Sequence, residues 1–570
     1  MIRKSNGRRL CRMTGPLFLL AVVTVLLLGT APRPTCAGKG SALAGRVIDF
    51  QQQPVKRARI VLYLNGKDEP YTEGESQRNG TFVLDLPDGP VDRVRLEISH
   101  PHFRTAVWEA TWADLERLNN GSAVRLPDIV LERQLTVGFW VATLTFVAVL
   151  LFIATERLHS TMAALLGMAI ILGVSLVGRP INEQLFIIDF DQAIEYVDFN
   201  VVFLVMGMMI VIGVIEETGI FQWMAYQAYR LSRGRIWLLV ASLMLLTSVA
   251  SALLDNVTTM LLVAPITLQI ALTLGVDPLA LLMPEVLASN VGGISTLIGT
   301  PTNILIGSYA DITFNDFLVN LTPGVFLAQI ALTVYVLLIY RKQYRVAGMA
   351  ISPVLLARLE ENARITQPDK LRRAGSIFLG IIVLFILGER FHLVPAVTAI
   401  LGAVAMLLVV RADIEQMLSV VDWTTLMFFI ALFIVIGAVE EVGLISYIAA
   451  GIRFLVGDSL VAATLVVVWA GAILSGVIAN IPFTAAMLPV VGFLTRSLPG
   501  AANKVLFYSL SIGAAMGGNS SLIGASANIV TAGIAERAGY PITYRTFLKI
   551  GLPAMAITVA VGTAWLFIHF

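Results

Sequence analysis

The chain has 570 residues, of which 57% are hydrophobic and 14% charged, against about 25% charged in an ordinary soluble protein. That composition excludes an ordinary soluble protein and puts most of the chain in lipid, while a net charge of +2 gives no reason to expect a nucleic-acid partner. The only cysteines are Cys11 and Cys36, so neither a disulfide framework nor a thiolate metal site is expected.

Residues 1–37 read as a signal sequence or signal anchor. Arg3, Lys4, Arg8, Arg9 and Arg12 precede the apolar run Pro16 to Leu28, and small residues follow around Cys36,. Either form delivers the next segment outside the cytoplasm. Residues 39–132 regain charge and show short alternating runs around Arg46 to Ile48, Ala58 to Tyr63, Thr81 to Leu84 and Arg93 to Ile98. Turn signals such as Asn79-Gly80 and Pro87-Asp88-Gly89 separate them,. A small extracytoplasmic β-sandwich is expected, resembling the carboxypeptidase-regulatory or transthyretin-like sandwiches. His100 and His102 read as surface residues of a strand-end loop, not as metal ligands.

From Thr136 onward, apolar runs of about 20 residues recur, each long enough to cross a hydrocarbon core of about 30 Å. Spans are expected at about 136–154, 159–178, 200–216, 279–309, 322–340, 375–388, 393–411, 423–440, 502–532 and 552–570. Two more apolar stretches, 236–273 and 460–493, are interrupted by polar tips and read as re-entrant hairpins. With the β domain outside, the proposed inner segments hold 16 basic residues and the outer ones 5, as the bias of cytoplasmic loops requires. Membrane repeat 1 is then 136–340, a cytoplasmic linker 341–374, and membrane repeat 2 375–570. Each half crosses the bilayer five times, so the two are inverted.

The repeat is visible in the letters. Asp198, Ile210 to Gly213, Glu216, Glu217 and Gly219 recur 224 residues later as Asp422, Ile434 to Gly437, Glu440, Glu441 and Gly443. Asn256 and Pro265 likewise meet Asn480 and Pro489, and, one residue further on, Gly293, Gly299 and Asn303 meet Gly518, Gly524 and Asn528. Paired interruptions at matching positions of two halves point to a binding site near the midplane. One pair is the hairpin tips, with Asp255, Asn256, Thr258 and Thr259 in the first and Asn480 and Thr484 in the second. The other is the breaks, with Asn290, Gly293, Thr300 and Asn303 in the first and Gly518, Asn519, Ser520 and Asn528 in the second. A carboxylate deep in a membrane is costly and functional by default, which singles out Asp255 and its rival Glu285. Asp255, Asn256 and Thr258 offer the oxygen donors a sodium ion prefers.

The runs Leu254 to Pro265, Glu285 to Gly307, Gly517 to Asn528 and Ala532 to Glu536 resemble the melanosomal P protein (pink-eyed dilution) and its bacterial relatives. That branch belongs to the ion transporter superfamily, with arsenite permeases, NhaD-type sodium/proton antiporters and citrate or dicarboxylate transporters. The resemblance covers residues 136–570. It implies an all-α polytopic membrane fold of elevator type, in which a subdomain carrying both hairpins moves against a scaffold, and a homodimer is expected. The chain departs from the family at Gly299-Thr300-Pro301-Thr302, where Gly-Asp-Pro-Pro is usual, and at Ala479, where Asp is common. Each departure removes a carboxylate and leaves the coupling ion open.

The resulting expectation is a secondary transporter coupled to sodium or protons, moving a small ion or small organic anion without a cofactor. An arsenite or anion efflux permease and a membrane-anchored ligand sensor are the alternatives. No catalytic motif suggests an enzyme, and the sensor lacks a cytoplasmic domain large enough to signal.

Overall fold

The computed structural model describes residues 42–570 except 51, 88, 121, 156, 347–359 and 362. The expected signal segment 1–37 lies outside the described residues. Contacts divide the chain into two compact units that meet in sequence at Gln134 and Leu135.

The first unit contains β1 (Ala42–Asp49), β2 (Arg59–Leu64), β3 (Thr72–Glu75), β4 (Thr81–Asp85), β5 (Val94–His100), β6 (Phe103–Glu109), α1 (Trp112–Asn119), β7 (Val124–Arg125) and β8 (Ile129–Leu131). One sheet runs β4-β1-β7 with β8 also on β1, and the other runs β3-β2-β5-β6. Leu43, Val47 and Phe82 of the first sheet share a core with Ile60, Leu96 and Ile98 of the second. Alternation exposed four of these strands to sequence reading. Helix α1 was not anticipated, although a reciprocal cap between Thr111 and Asp114 starts it,. The histidine reading is corrected. His102 is buried and His100 packs edge-on against Phe103, whose ring also carries Arg133. Burial first, then His102 and Arg133, push the His100 imidazole down to about 3.

The second unit is helical. It comprises α2 (Val137–Ala154), α3 (Ser160–Gly178), α4 (Phe190–Glu195), α5 (Phe199–Glu216), α6 (Ile220–Ser232), α7 (Ile236–Leu253), α8 (Asn256–Leu274), α9 (Leu279–Gly292), α10 (Pro301–Ala310), α11 (Phe314–Asn320), α12 (Thr322–Ile339) and α13 (Arg341–Val346). It continues with α14 (Pro368–Leu387), α15 (Pro395–Ala405), α16 (Ile414–Val420), α17 (Trp423–Val442), α18 (Leu444–Val456), α19 (Leu460–Ser475), α20 (Asn480–Ser497), α21 (Val505–Gly517), α22 (Ser526–Arg537) and α23 (Tyr544–His569).

Among the described residues, nine helices are long and apolar enough to cross a membrane. The expected count was ten, and the difference has a physical reason. The spans expected at 279–309 and 502–532 are each broken into two short halves, and the one expected at 393–411 forms an α-helix of only 11 residues that passes into a π-helical turn at Met406–Val410, whereas both legs of the first hairpin reach spanning length. Two further boundaries shift. Helix α14 starts at Pro368 and not near 375, because its first turns, which contain Lys370, Arg372 and Arg373, precede the apolar stretch. Helix α23 starts at Tyr544 and runs through Pro553.

Helices α6 and α18 have 13 residues each, about 20 Å of rise, too short to span. Left-handed glycines, Gly219 at φ 77° and Gly443 at φ 94°, turn the chain into them. In α6, Phe221, Ala225 and Ala228 are buried while Arg230 is exposed, one apolar stripe on a helix lying along the protein. The end of α5 is strapped by the linker. Thr366 donates its backbone N–H to the Thr218 carbonyl and its hydroxyl to the Glu217 carbonyl, both at 3.1 Å, and Lys370 pairs with the Glu217 carboxylate.

Candidate functional site

Two hairpins and two broken helices come together in the second unit. In the first hairpin, α7 and α8 are joined through Leu254 and Asp255. Ser251, near the end of α7, donates to the Ser289 carbonyl of α9 at 2.8 Å. In the second, Ser475 at the end of α19 donates to the Ala514 carbonyl of α21 at 2.6 Å. Thr296 bonds the Ala252 carbonyl, and Ser521 bonds the Gly476 carbonyl. These paired hydroxyls clamp each hairpin to its broken helix. They fall at the same spacing as the sequence repeat.

The breaks require glycine. A β-carbon on Gly293 would sit 2.6 Å from the Gly299 carbonyl oxygen, and one on Gly524 would sit 2.7 Å from that of Gly518. The chain therefore crosses itself at backbone distance in both breaks. Asn303 fastens the first crossing, donating to the carbonyls of Ile294 at 3.0 Å and Thr296 at 2.8 Å. Asn528 fastens the second, donating to Gly518 and Ser521, both at 2.8 Å.

The expected residues do not form two separate sets. Asn256 donates to Asn290 at 2.9 Å, and Asn290 donates to both Asn519 and Asn528 at 2.9 Å. One buried amide cluster thus joins the first hairpin tip to both broken helices. Asn480 reaches the second break through its backbone N–H, which donates to the Gly524 carbonyl at 3.1 Å. The Thr484 hydroxyl turns back to the Asn480 carbonyl and that of Ser520 to the Gly517 carbonyl. Thr300 and Thr302 hydroxyls lie 3.2 Å apart at the start of α10.

The carboxyl groups are placed differently. Asp255 caps α8, accepting from the backbone N–H groups of Val257 and Thr258 at 2.9 Å and from the Thr258 hydroxyl at 2.5 Å. A carboxylate offers about four acceptor positions, so three are in use within its own turn. Asn256 is turned away from it, toward Asn290, and the Thr259 hydroxyl bonds the Asp255 carbonyl. Glu285 is fully buried in α9. One of its oxygens accepts from Thr267 of α8 at 2.7 Å, and the other has no hydrogen-bond partner among the described residues.

Helix ends complete the site. The four helices that begin at a tip or break are α8, α10, α20 and α22. Only α8 has a side-chain cap; those following Thr300, Ala479 and Ala525 have none. A helix N-terminus without a side-chain cap keeps its partial positive charge, although the first N–H of α20, that of Asn480, is already paired with Gly524. Sequence reasoning missed Ser251, Ser475, Ser511 and Thr267. Ser511 donates to the Asn303 side chain at 2.6 Å. Hydroxyls recurring at matched positions of two apolar helices are the signal that finds the serine pair.

The citrate transporter family (CitMHS) matches residues 150–502. The chain belongs to that family. Among its relatives is an uncharacterized transporter of Mycobacterium tuberculosis, 36% identical over 431 residues, covering 75% of this chain and 98% of the relative. The P protein of Homo sapiens is 33% identical over 515 residues, covering 77% of this chain and 60% of that longer protein. The likeness to the P protein read from the breaks therefore stands. This citrate transporter family member is an integral, multi-pass membrane transporter. Among solved structures, the YdaH transporter of Alcanivorax borkumensis aligns with a TM-score of 0.45 and 16% identity, over 64% of this chain and 84% of that one.

Proposed function

We propose that the protein is a secondary carrier that moves a small organic anion in exchange for, or together with, sodium or protons. The observation that carries this reading is the unequal capping of the four converging helices. Three present uncapped N-termini, which attract an anion, and the fourth is closed by Asp255. The carboxylate end suits a cation and the opposite end suits a carboxylate substrate. Citrate, named in the family's description, is the first substrate to test, with smaller dicarboxylates beside it.

In this reading the two halves are inverted repeats. The hairpins and broken helices move as a block against a scaffold that includes α5 and α17, with α6 and α18 as arms along the membrane interface. The β unit lies outside the cytoplasm, and the carrier works as a homodimer. Asp255 is the coupling carboxylate, with an oxygen shell for sodium from Thr258 and nearby carbonyls. Glu285 is its rival because it can carry a proton within the protein core.

The test is transport by purified protein in liposomes under imposed sodium or proton gradients, with citrate, succinate and arsenite as substrates. Gradient-driven uptake of a carboxylate is expected. Movement of arsenite alone, or cation exchange with no effect of any carboxylate, overturns the reading.

A further inference from the structure

A cavity of about 370 Å³, lined by none of the four clustered asparagines, lies between the start of α5, the end of α10 with the turn after it, and the connection from α14 to α15. That volume falls within the range of small-molecule sites. Its floor is apolar and rigid: Leu204, Leu297 and Ile304 are buried, and Phe314 and Phe385 stack at 5.5 Å with their planes 14° apart. Its rim is acidic. Asp311 and Glu389 are exposed there beside His392, and no lysine or arginine is among the lining residues described. Lys504 approaches this edge, but its ammonium group donates to the Asp311 backbone carbonyl at 2.9 Å.

We propose that this cavity binds an organic cation with a bulky apolar body. The body would fill the space over Phe385 and Leu297, and the charge would rest beside the Asp311 and Glu389 carboxylates. An anion or a neutral lipid chain could use the floor but would gain nothing from the rim. The cavity reaches Leu297 of the first break but offers carboxylates at its rim where the amide cluster offers amides. Asn315 of α11 donates to the Ile386 carbonyl of α14 at 2.7 Å beside the cavity. An occupant would thus bridge parts that the preceding reading separates into moving block and scaffold. Binding itself does not depend on that reading.

The experiment is equilibrium dialysis of the purified full chain in detergent with two probes of equal size and opposite charge, tetraphenylphosphonium and tetraphenylborate. Saturable binding of the cation, with tetraphenylborate at least tenfold weaker, is expected. The double variant Asp311→Asn, Glu389→Gln should remove that preference while leaving the size-exclusion profile unchanged. Equal binding of both probes to the unmodified protein, or a preference that survives in the variant, overturns the proposal. Either result leaves the transport reading untouched.

Discussion

The two hairpin tips share a frame and differ in charge. Each begins its second helix with a buried asparagine, Asn256 or Asn480, and each is clamped by a serine to the broken helix beside it. Yet Asp255 caps the first tip where Ala479 leaves the second open, and Glu285 stands where the second half has Leu510. Hydrogen bonds to backbone depend on shape, and shape is what the two halves have kept. Charge decides which ligand each end can hold, and there they have diverged. Under the proposed function, the charged end would hold the cation and the open end the anion.

The largest effect should come from erasing the difference. Asp255→Asn keeps the cap's size and removes its charge. It is expected to abolish sodium or proton dependence of uptake in liposomes while the protein still inserts and purifies. If ion dependence is unchanged in that variant but lost in Glu285→Gln, the coupling carboxyl is Glu285. The opposite change makes both ends alike. Ala479→Asp should cap α20, which stabilises a helix by about 1 kcal/mol. It should also raise the KM for a carboxylate about tenfold, equivalent to about 1.4 kcal/mol. An unchanged KM would mean that the anion does not approach the second tip.

Asn290→Ala tests what joins the ends. It strips three hydrogen bonds from one buried cluster and leaves partners on Asn256, Asn519 and Asn528 unmatched, so a loss of about 1–3 kcal/mol is expected. A thermal unfolding midpoint equal to that of the unmodified protein would show that the halves are held elsewhere. The mildest probe is chemical. Single cysteines at the half-buried Val257 and Ile481 should react with impermeant thiol reagents from inner and outer solution respectively. Labelling of both from one side under all gradients would remove the inverted arrangement.

Much of the helical plan was legible because lipid demands long apolar runs, and interruptions within them stand out. The breaks near Gly293 and Gly518 and the tips near Asp255 and Asn480 were readable for that reason. What the letters could not convey was partnership across the halves. Nothing in the spacing of Asn290 relates it to Asn519 or Asn528, more than 220 residues away, so a midplane site is legible but the amide cluster at its centre is not. Ser251 and Ser475 were overlooked because a serine in an apolar helix often does no more than bond its own preceding turn. The burial of His102 is not legible from its position in a strand-end loop, which by itself suggests exposure. Phe103 and Arg133, which cover that loop, come from a neighbouring strand and from beyond the last one.

The strap of Thr366 and Lys370 over the end of α5 has a consequence for how the gene can be divided. A break introduced between residues 347 and 359 would leave one polypeptide with the first hairpin and one with the second. The strap belongs to the second piece and grips Glu217 of the first. Asn290 would still reach across to Asn519 and Asn528, and the Tyr335 hydroxyl to the Ile550 carbonyl at 2.9 Å. Two separately translated fragments therefore carry matching surfaces at the amide cluster, along α12 against α23, and at the strap. Co-expressed, they are expected to copurify through a tag on either one.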